Sequence, residues 1–186
     1  MLTKKKLRKI KESIVDEKRL LTGNGCEVKD LSTKTYEHLN CYSYALGIMY
    51  PSKNRIYTPG FTTKENYIED SKISLISKIC EDLDNLGISY RKFGVYDEIN
   101  LLEGEYLIQV MYVPCYCDLW IESDFHFSRK SKDGFWFSKQ GWLNQPSSEY
   151  IEVLEKEDDE EIVRVYSDNC VRSYVRIVYF AIKEKK

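Results

Sequence analysis

Apolar residues recur along this chain first with the period of a helix and then with the period of a strand. Helical spacing predicts three helices, at 2–21, from 41 to a stop before 51, and at 71–86. Alternating or continuous apolar runs predict strands at 88–93, 105–113, 123–140 as a hairpin, and 174–183, with 105–113 central. Helices that precede strands in this way predict an α+β domain, with the helices packed on an antiparallel sheet.

Composition and charge narrow the class of protein. A length of 186 residues, with 42% hydrophobic and 31% charged residues, is typical of one globular domain spanning 1–186. The net charge of −2 gives no general attraction to nucleic acid or to anionic membranes, so neither partner is expected. The charged start of the chain lacks an apolar signal core, which favours a cytoplasmic location with reduced cysteines. The acidic run at 155–161 is interpreted as a solvated loop or helix end.

Cys41 is the first candidate for chemistry because it stands at the predicted start of a helix. It lies in the stretch NCYSYAL at 40–46, whose spacing predicts about two helical turns. Asn40 is a favoured N-cap, which places the thiol at the first helical position, where free backbone N–H groups favour a negative charge. A cysteine in that position ionises more readily and is a better nucleophile. The alternative is a buried cysteine that packs as a small hydrophobe.

His126 is the histidine expected to serve Cys41 as a general base. The chain has two histidines, and His126 lies in a segment whose polar and aromatic residues alternate as in a half-buried strand. An imidazole within hydrogen-bond reach of a thiol activates it for attack on an acyl carbon, with a thioester as intermediate. The alternative is an ordinary surface or core histidine.

The turn after His126 decides which residue stands beside the imidazole. Residues 131–134 predict a type I turn with Gly134 in the left-handed conformation, which closes a three-residue hairpin loop. That register places Ser138 on the same face as His126. A two-residue turn would instead bring Lys139 to that face, because a slip of one residue reverses every side chain.

An acyl-transfer site also needs donors for the oxyanion that forms when the carbonyl is attacked. The backbone N–H of Cys41 is one expected donor, and the side chain of Asn40 or of Tyr36 is the other. If the Asn40 side chain is fully engaged as the helix cap, it cannot serve as that donor.

Taken together, these motifs resemble a known family. The series NCYxYAL on a helix, DxH on a strand, an Asp-Gly hairpin and WxxKxG is similar to bacterial and phage proteins of the papain-like superfamily, close to the NlpC/P60 cysteine peptidases. The likeness covers 40–186. It implies a papain-like fold, with the nucleophile helix packed on an antiparallel sheet, Cys41 as nucleophile and His126 as base. A polar residue on the next strand would orient the imidazole.

One departure from the family bears on that orienting residue. Relatives often read Trp-Ser-His-Lys-Pro-Gly where this chain reads WFSKQG at 136–141, so Ser138 stands where those relatives have a histidine. Ser138 is therefore the candidate that the resemblance offers for orienting His126. Trp136 and Lys139 of the same motif, together with Tyr36, are expected to contact the substrate.

The sequence thus predicts a cysteine hydrolase, a peptidase or amidase, that acts on a peptide or amide without a cofactor. One alternative uses the same pair for acyl transfer or deamidation. Another is a catalytically silent papain-like module that binds a protein partner, which the lost histidine at Ser138 favours and an ionised Cys41 opposes. No metal is expected, because the spacing of Cys115 and Cys117 is not that of a structural zinc site.

Overall fold

A computed structural model describes seven stretches of the chain: 2–15, 39–50, 57–63, 72–113, 124–139, 146–167 and 170–184. Within these stretches there are three helices: α1 (Lys4–Glu12), α2 (Cys41–Ala45) and α3 (Lys72–Leu86). There are seven strands: β1 (Tyr90–Phe93), β2 (Glu105–Val113), β3 (Asp124–Lys130), β4 (Trp136–Ser138), β5 (Ser147–Glu157), β6 (Glu160–Ser167) and β7 (Cys170–Lys183). None of the helices in the described stretches combines the length and the apolar character needed to cross a membrane.

The seven strands form one antiparallel sheet that closes on itself. Their order is β1-β7-β2-β3-β4-β5-β6, and β6 pairs again with β7. Strand β7 is 14 residues long and makes this closure possible. One of its edges pairs with β2, while the other pairs with β6 over 170–176 and with β1 over 179–182. Strands β2 to β7 therefore form a closed six-stranded barrel, and β1 extends the sheet beside β7.

The prediction of a papain-like α+β fold is wrong, because the described chain is mostly β and its sheet is a closed barrel. Strands β5 and β6 make the difference, and the sequence analysis did not predict them. The acidic run at 155–161 is neither a solvated loop nor a helix end, since it forms the facing ends of these strands and their tight turn. Asp158 takes a positive φ of 45° at that turn.

Other predicted elements are confirmed or corrected one by one. The predicted strand at 105–113 coincides with β2, and it is central because it pairs with both β3 and β7. Helix α3 ends as predicted at Gly87, whose φ of 67° favours glycine. The two-turn prediction for the Cys41 helix is wrong, since α2 ends at Ala45 and Gly47 has a φ of 69°. Helix α1 is shorter than the predicted 2–21, and 16–21 lies outside the described residues.

The two faces of β3 meet different surroundings. Phe127 packs on the helical side, where the ring of Tyr42 on α2 lies 4.7 Å from it between centroids. His126 and Ser128 point the other way, because side chains alternate along a strand. On that side an apolar cluster fills part of the barrel interior: Met111, Val163, Val165 and Tyr174. The helices thus cover the outside of the barrel, while β3 directs two polar side chains inward.

Candidate active site

Asn40 fixes the start of the helix that carries Cys41. Its Oδ1 accepts a hydrogen bond from the backbone N–H of Ser43 at 3.0 Å, and the Ser43 hydroxyl accepts one from the backbone N–H of Asn40 at 3.0 Å. This capping box confirms the predicted N-cap and places Cys41 at the first helical position. Asn40 Nδ2 also donates to the carbonyl of Tyr57 at 2.7 Å, which ties the helix start to the segment 57–63. A role for Asn40 as an oxyanion donor stays a prediction.

A buried carboxylate holds the segment 57–63 against the same helix. Both oxygens of Asp82 on α3 are used: Oδ2 accepts from the Tyr42 hydroxyl at 3.0 Å and from the backbone N–H of Gly60 at 2.7 Å. Oδ1 accepts from the backbone N–H and the hydroxyl of Thr62 at 2.9 and 2.5 Å. Burial raises the pKa of Asp82, and these hydrogen bonds oppose the rise. Asp82 therefore links α2, α3 and the segment 57–63.

The structure brings Cys41 and His126 together. The thiol is only 6% exposed, and its sulfur lies 3.9 Å from the carbonyl oxygen of Phe125, the residue that precedes His126 on β3. The charge of Cys41 also acts on the imidazole of His126 and helps to raise its pKa. The two residues predicted as nucleophile and base are thus neighbours, although they are far apart in the sequence and lie on different elements.

Glu149 on β5 is the third member of the site, and the sequence analysis missed it. Its Oε1 lies 2.7 Å from Nε2 of His126, and both side chains are almost fully buried. Because Nε2 faces the carboxylate, Nδ1 is the ring nitrogen left for the thiol of Cys41. The arrangement therefore has a thiol, an imidazole and a carboxylate in that order, with the carboxylate holding one edge of the imidazole.

The charges of this cluster shift the pKa values of both partners toward an ion pair. Burial by itself lowers the pKa of His126, but the charges of Glu149 and Cys41 and the hydrogen bond to Glu149 raise it to about 10. Burial likewise acts to raise the pKa of Glu149. The charge of His126 and the hydrogen bonds from His126, Ser128 and Ser138 lower it. At neutral pH the imidazole therefore holds its proton and the carboxylate stays ionised.

Ser138 reaches Glu149 rather than His126. The hydroxyl groups of Ser128 and Ser138 each donate to the Glu149 carboxylate at 2.5 Å, to Oε2 and Oε1 respectively. The hairpin that delivers Ser138 is the predicted one: Gly134 has a φ of 88°, and the N–H of Ser131 donates to the carbonyl of Phe135 at 2.8 Å. The three-residue turn is thus confirmed, and it places Ser138 where it orients the carboxylate.

The plane of the imidazole is held by an aromatic ring. Tyr174 on β7 stacks on His126 with centroids 5.2 Å apart and the planes inclined by 21°. This contact was not predicted, because strand periodicity does not show which distant strand faces β3. With Glu149 at one edge and Tyr174 on one face, His126 has little freedom to rotate.

The predicted substrate contacts have different surroundings. Lys139 is completely buried, and this burial lowers its pKa to about 8, while the charge of Cys41 opposes the fall. Trp136 packs instead in a cluster with Leu107, and its ring lies 6.3 Å from that of Tyr179. Tyr36 lies outside the described residues.

Neither a similar known protein nor a metal site in the described stretches adds to the evidence from this geometry. Comparison of the chain with protein-family models, with curated proteins and with solved structures gives no match. Across the described stretches, no group of three or more His, Cys, Asp or Glu side chains is arranged to hold a metal ion. Cys115 and Cys117, considered above as zinc ligands, lie outside those stretches. The case for a function therefore rests on the buried cluster of Cys41, His126 and Glu149.

Proposed function

We propose that this protein is a cysteine hydrolase that cleaves an amide bond, with Cys41 as nucleophile, His126 as general base and Glu149 as the group that orients His126. The observation that carries the proposal is the position of His126: its Nε2 lies 2.7 Å from the buried carboxylate of Glu149, and the carbonyl oxygen of the preceding residue, Phe125, lies 3.9 Å from the Cys41 sulfur. The same order of groups activates nucleophiles on unrelated folds, so the proposal does not depend on a papain-like architecture.

The reaction follows from the protonation states of the cluster. In the proposed reaction the Cys41 sulfur attacks the carbonyl carbon as a thiolate while His126 carries the proton, so that a C–S bond forms and the π electrons of the carbonyl move to oxygen. The backbone N–H of Cys41 is one donor for that oxyanion. Collapse of the intermediate breaks the C–N bond as His126 gives its proton to the leaving amine. Water, deprotonated by His126, then hydrolyses the thioester and restores the thiol.

Glu149 also bears on the alternative of a catalytically silent module. That alternative drew its support from the lost histidine at Ser138. In this structure Ser138 donates to Glu149, and Glu149 contacts His126 directly. A buried carboxylate thus occupies the orienting position, and this supports the enzyme over the silent module.

Alkylation kinetics test the proposal without knowledge of the substrate. We expect iodoacetamide to label Cys41 rapidly at pH 6, as located by mass spectrometry, because the imidazolium of His126 stabilises the thiolate. The half-buried thiol of Cys80 serves as an internal reference. A His126→Ala variant should lose the rapid labelling of Cys41, and a Cys80→Ala variant should keep it. Labelling of Cys41 that is as slow as that of Cys80 and is unchanged in His126→Ala would overturn the proposal.

A positive alkylation result should then lead to hydrolysis. A panel of fluorogenic peptide and amide substrates, with Cys41→Ala as the inactive control, would measure turnover. Hydroxylamine added during the reaction would capture the acyl group from the thioester. Product that appears with hydroxylamine but not with water would redirect the same site to acyl transfer.

A further inference from the structure

Cys41 stands between two residues that are both tied to other elements. Tyr42 follows it on α2, and the Tyr42 hydroxyl donates to Oδ2 of Asp82 on α3 at 3.0 Å. Asn40 precedes it, and Asn40 Nδ2 donates to the carbonyl of Tyr57 at 2.7 Å. The segment that begins with Tyr57 is itself hydrogen-bonded to the Asp82 carboxylate. The residues on both sides of the thiol are therefore anchored to one carboxylate.

The ring of Tyr42 carries this anchor to the strand of the proposed base. Its centroid lies 4.7 Å from that of Phe127, which follows His126 on β3. The Cys41 sulfur lies 3.9 Å from the carbonyl oxygen of Phe125, which precedes His126. Helix α2 thus contacts β3 on both sides of His126, and the ring of Tyr42 makes one of these two contacts.

An external anchor matters because α2 is too short to hold its own position. It has five residues, and a helix of that length has little stability of its own in water. Asp82 is completely buried, and a buried carboxylate is costly unless donors surround it. Its four hydrogen bonds offset that cost and hold α2, α3 and the segment 57–63 together.

We propose that Asp82 is a positioning residue for the reaction: it sets the place of the Cys41 thiol against the strand that carries His126. It acts through Tyr42 on one side of the thiol and through Asn40 on the other. This inference rests on the proposed function, because it takes Cys41 as the nucleophile. Since a displacement of about 1 Å can cost about 100-fold in rate, even a small shift of α2 should be measurable.

Tyr42→Phe removes one contact of this network and keeps the rest. The ring can still pack on Phe127, and Asp82 keeps its three other hydrogen bonds. We expect iodoacetamide to label Cys41 about 10-fold more slowly at pH 6 in this variant than in the unmodified protein, because the displaced thiol loses the help of the imidazole. The difference should nearly vanish at pH 9, where a thiol with a pKa of about 8.5 ionises without that help.

Tyr166→Phe is the matched control. It also removes a hydroxyl that donates to a carboxylate, that of Glu152 at 2.8 Å, between strands β5 and β6 of the barrel. Its labelling of Cys41 should equal that of the unmodified protein at every pH. Circular dichroism establishes that each variant is folded before its rates are compared. A purely structural role for the Tyr42 hydroxyl would lower the stability to urea without changing the pH profile of labelling in the folded protein.

A double-mutant cycle tests whether Tyr42 acts through Asp82. Asp82→Asn keeps the size of the side chain and removes its charge, so the contact with the Tyr42 hydroxyl is already weakened. In that background Tyr42→Phe should slow labelling at pH 6 by less than about 3-fold. If Asp82→Asn does not fold, Thr62→Val replaces it. Thr62→Val removes another hydroxyl donor of Asp82 and should shift the pH profile of labelling in the same direction as Tyr42→Phe.

The outcomes separate this proposal from the proposed function. Labelling of folded Tyr42→Phe at the unmodified rate at pH 6 overturns the role of Asp82, and so does a deficit of equal size at pH 6 and pH 9. An effect of Tyr42→Phe that is the same with and without Asp82→Asn also overturns it. Labelling of Cys41 in the unmodified protein that is no faster than that of Cys80 overturns the proposed function instead.

Discussion

Replacing Glu149 with glutamine removes the negative charge that lies beside Nε2 of His126 and keeps the length and shape of the side chain. The amide retains an oxygen that can accept from the imidazole, and the hydroxyl groups of Ser128 and Ser138 can rotate to meet an amide N–H. The variant therefore tests the charge of the carboxylate rather than its volume. We expect a folded protein whose Cys41 has lost its activation.

The size of the effect follows from the balance of forces on His126. The charge of Glu149 overcomes burial and raises the pKa of His126 to about 10. Without that charge burial dominates, so the imidazole is neutral at pH 7 and the proton stays on sulfur. An unactivated thiol with a pKa of about 8.5 is roughly 3% thiolate at pH 7 and roughly 0.3% at pH 6. A fully ionised thiol in the unmodified protein would set the upper bound, so alkylation should slow by up to about 30-fold at pH 7 and up to about 300-fold at pH 6.

The assay is the rate of iodoacetamide labelling of Cys41 at pH 6, 7 and 8 in the unmodified protein, in Glu149→Gln and in Glu152→Gln. Glu152 is the control, because it lies on the same strand with its side chain 42% exposed and pairs with Arg164. Turnover of an amide substrate should fall by about 100- to 10,000-fold in Glu149→Gln. The reasoning fails if Glu149→Gln is labelled at the unmodified rate at pH 6, or if its deficit does not grow as the pH is lowered.

Three further predictions concern stability. Because the pKa of His126 is raised from 6.5 to about 10 on folding, its protonation stabilises the folded protein fully below pH 6.5, and this effect is lost as the pH rises through about 10. The difference in the free energy of unfolding between the unmodified protein and Glu149→Gln, measured in urea, should therefore be smaller at pH 9 than at pH 5.5. Asn40→Ala should lower the free energy of unfolding by about 1–2 kcal/mol and slow the labelling of Cys41, because the helix cap is lost; equal labelling rates would count against the cap. Asp82→Ala strands four buried donors and should cost more than about 3 kcal/mol in the same urea assay; a loss below about 1 kcal/mol would contradict that network.

The local features of the site were predictable because each depends on a few adjacent residues. The cap at Asn40 needs only the helix that follows it, and the hairpin register needs only the turn that ends at Gly134. The same holds for the end of α3 at Gly87. The length of α2 was mispredicted because apolar spacing continues to Met49, while Gly47 already turns the backbone out of the helix.

Glu149 could not be found in the same way, because its role depends on a contact between strands. Glu149 and His126 are 23 residues apart in the sequence, and no motif around Glu149 distinguishes it from the other acids at 149–161. A weak signal does exist in the sequence: Glu149, Ile151 and Val153 occupy every second position, as the residues on one face of a strand do. The density of charge in 152–161 obscured this alternation, and the two strands that close the barrel were missed with it.

Closure of the barrel and the chemistry of the site depend on one another. The carboxylate of Glu149 on β5 takes hydrogen bonds from His126 and Ser128 on β3 and from Ser138 on β4, so three neighbouring strands must keep their register for all of them to form. A barrel interior filled with apolar side chains would be at least as stable, because buried ion pairs seldom repay the cost of removing their charges from water. A buried network that bears this desolvation cost, yet fixes an imidazole beside a thiol, is best explained by the reaction proposed for those two groups.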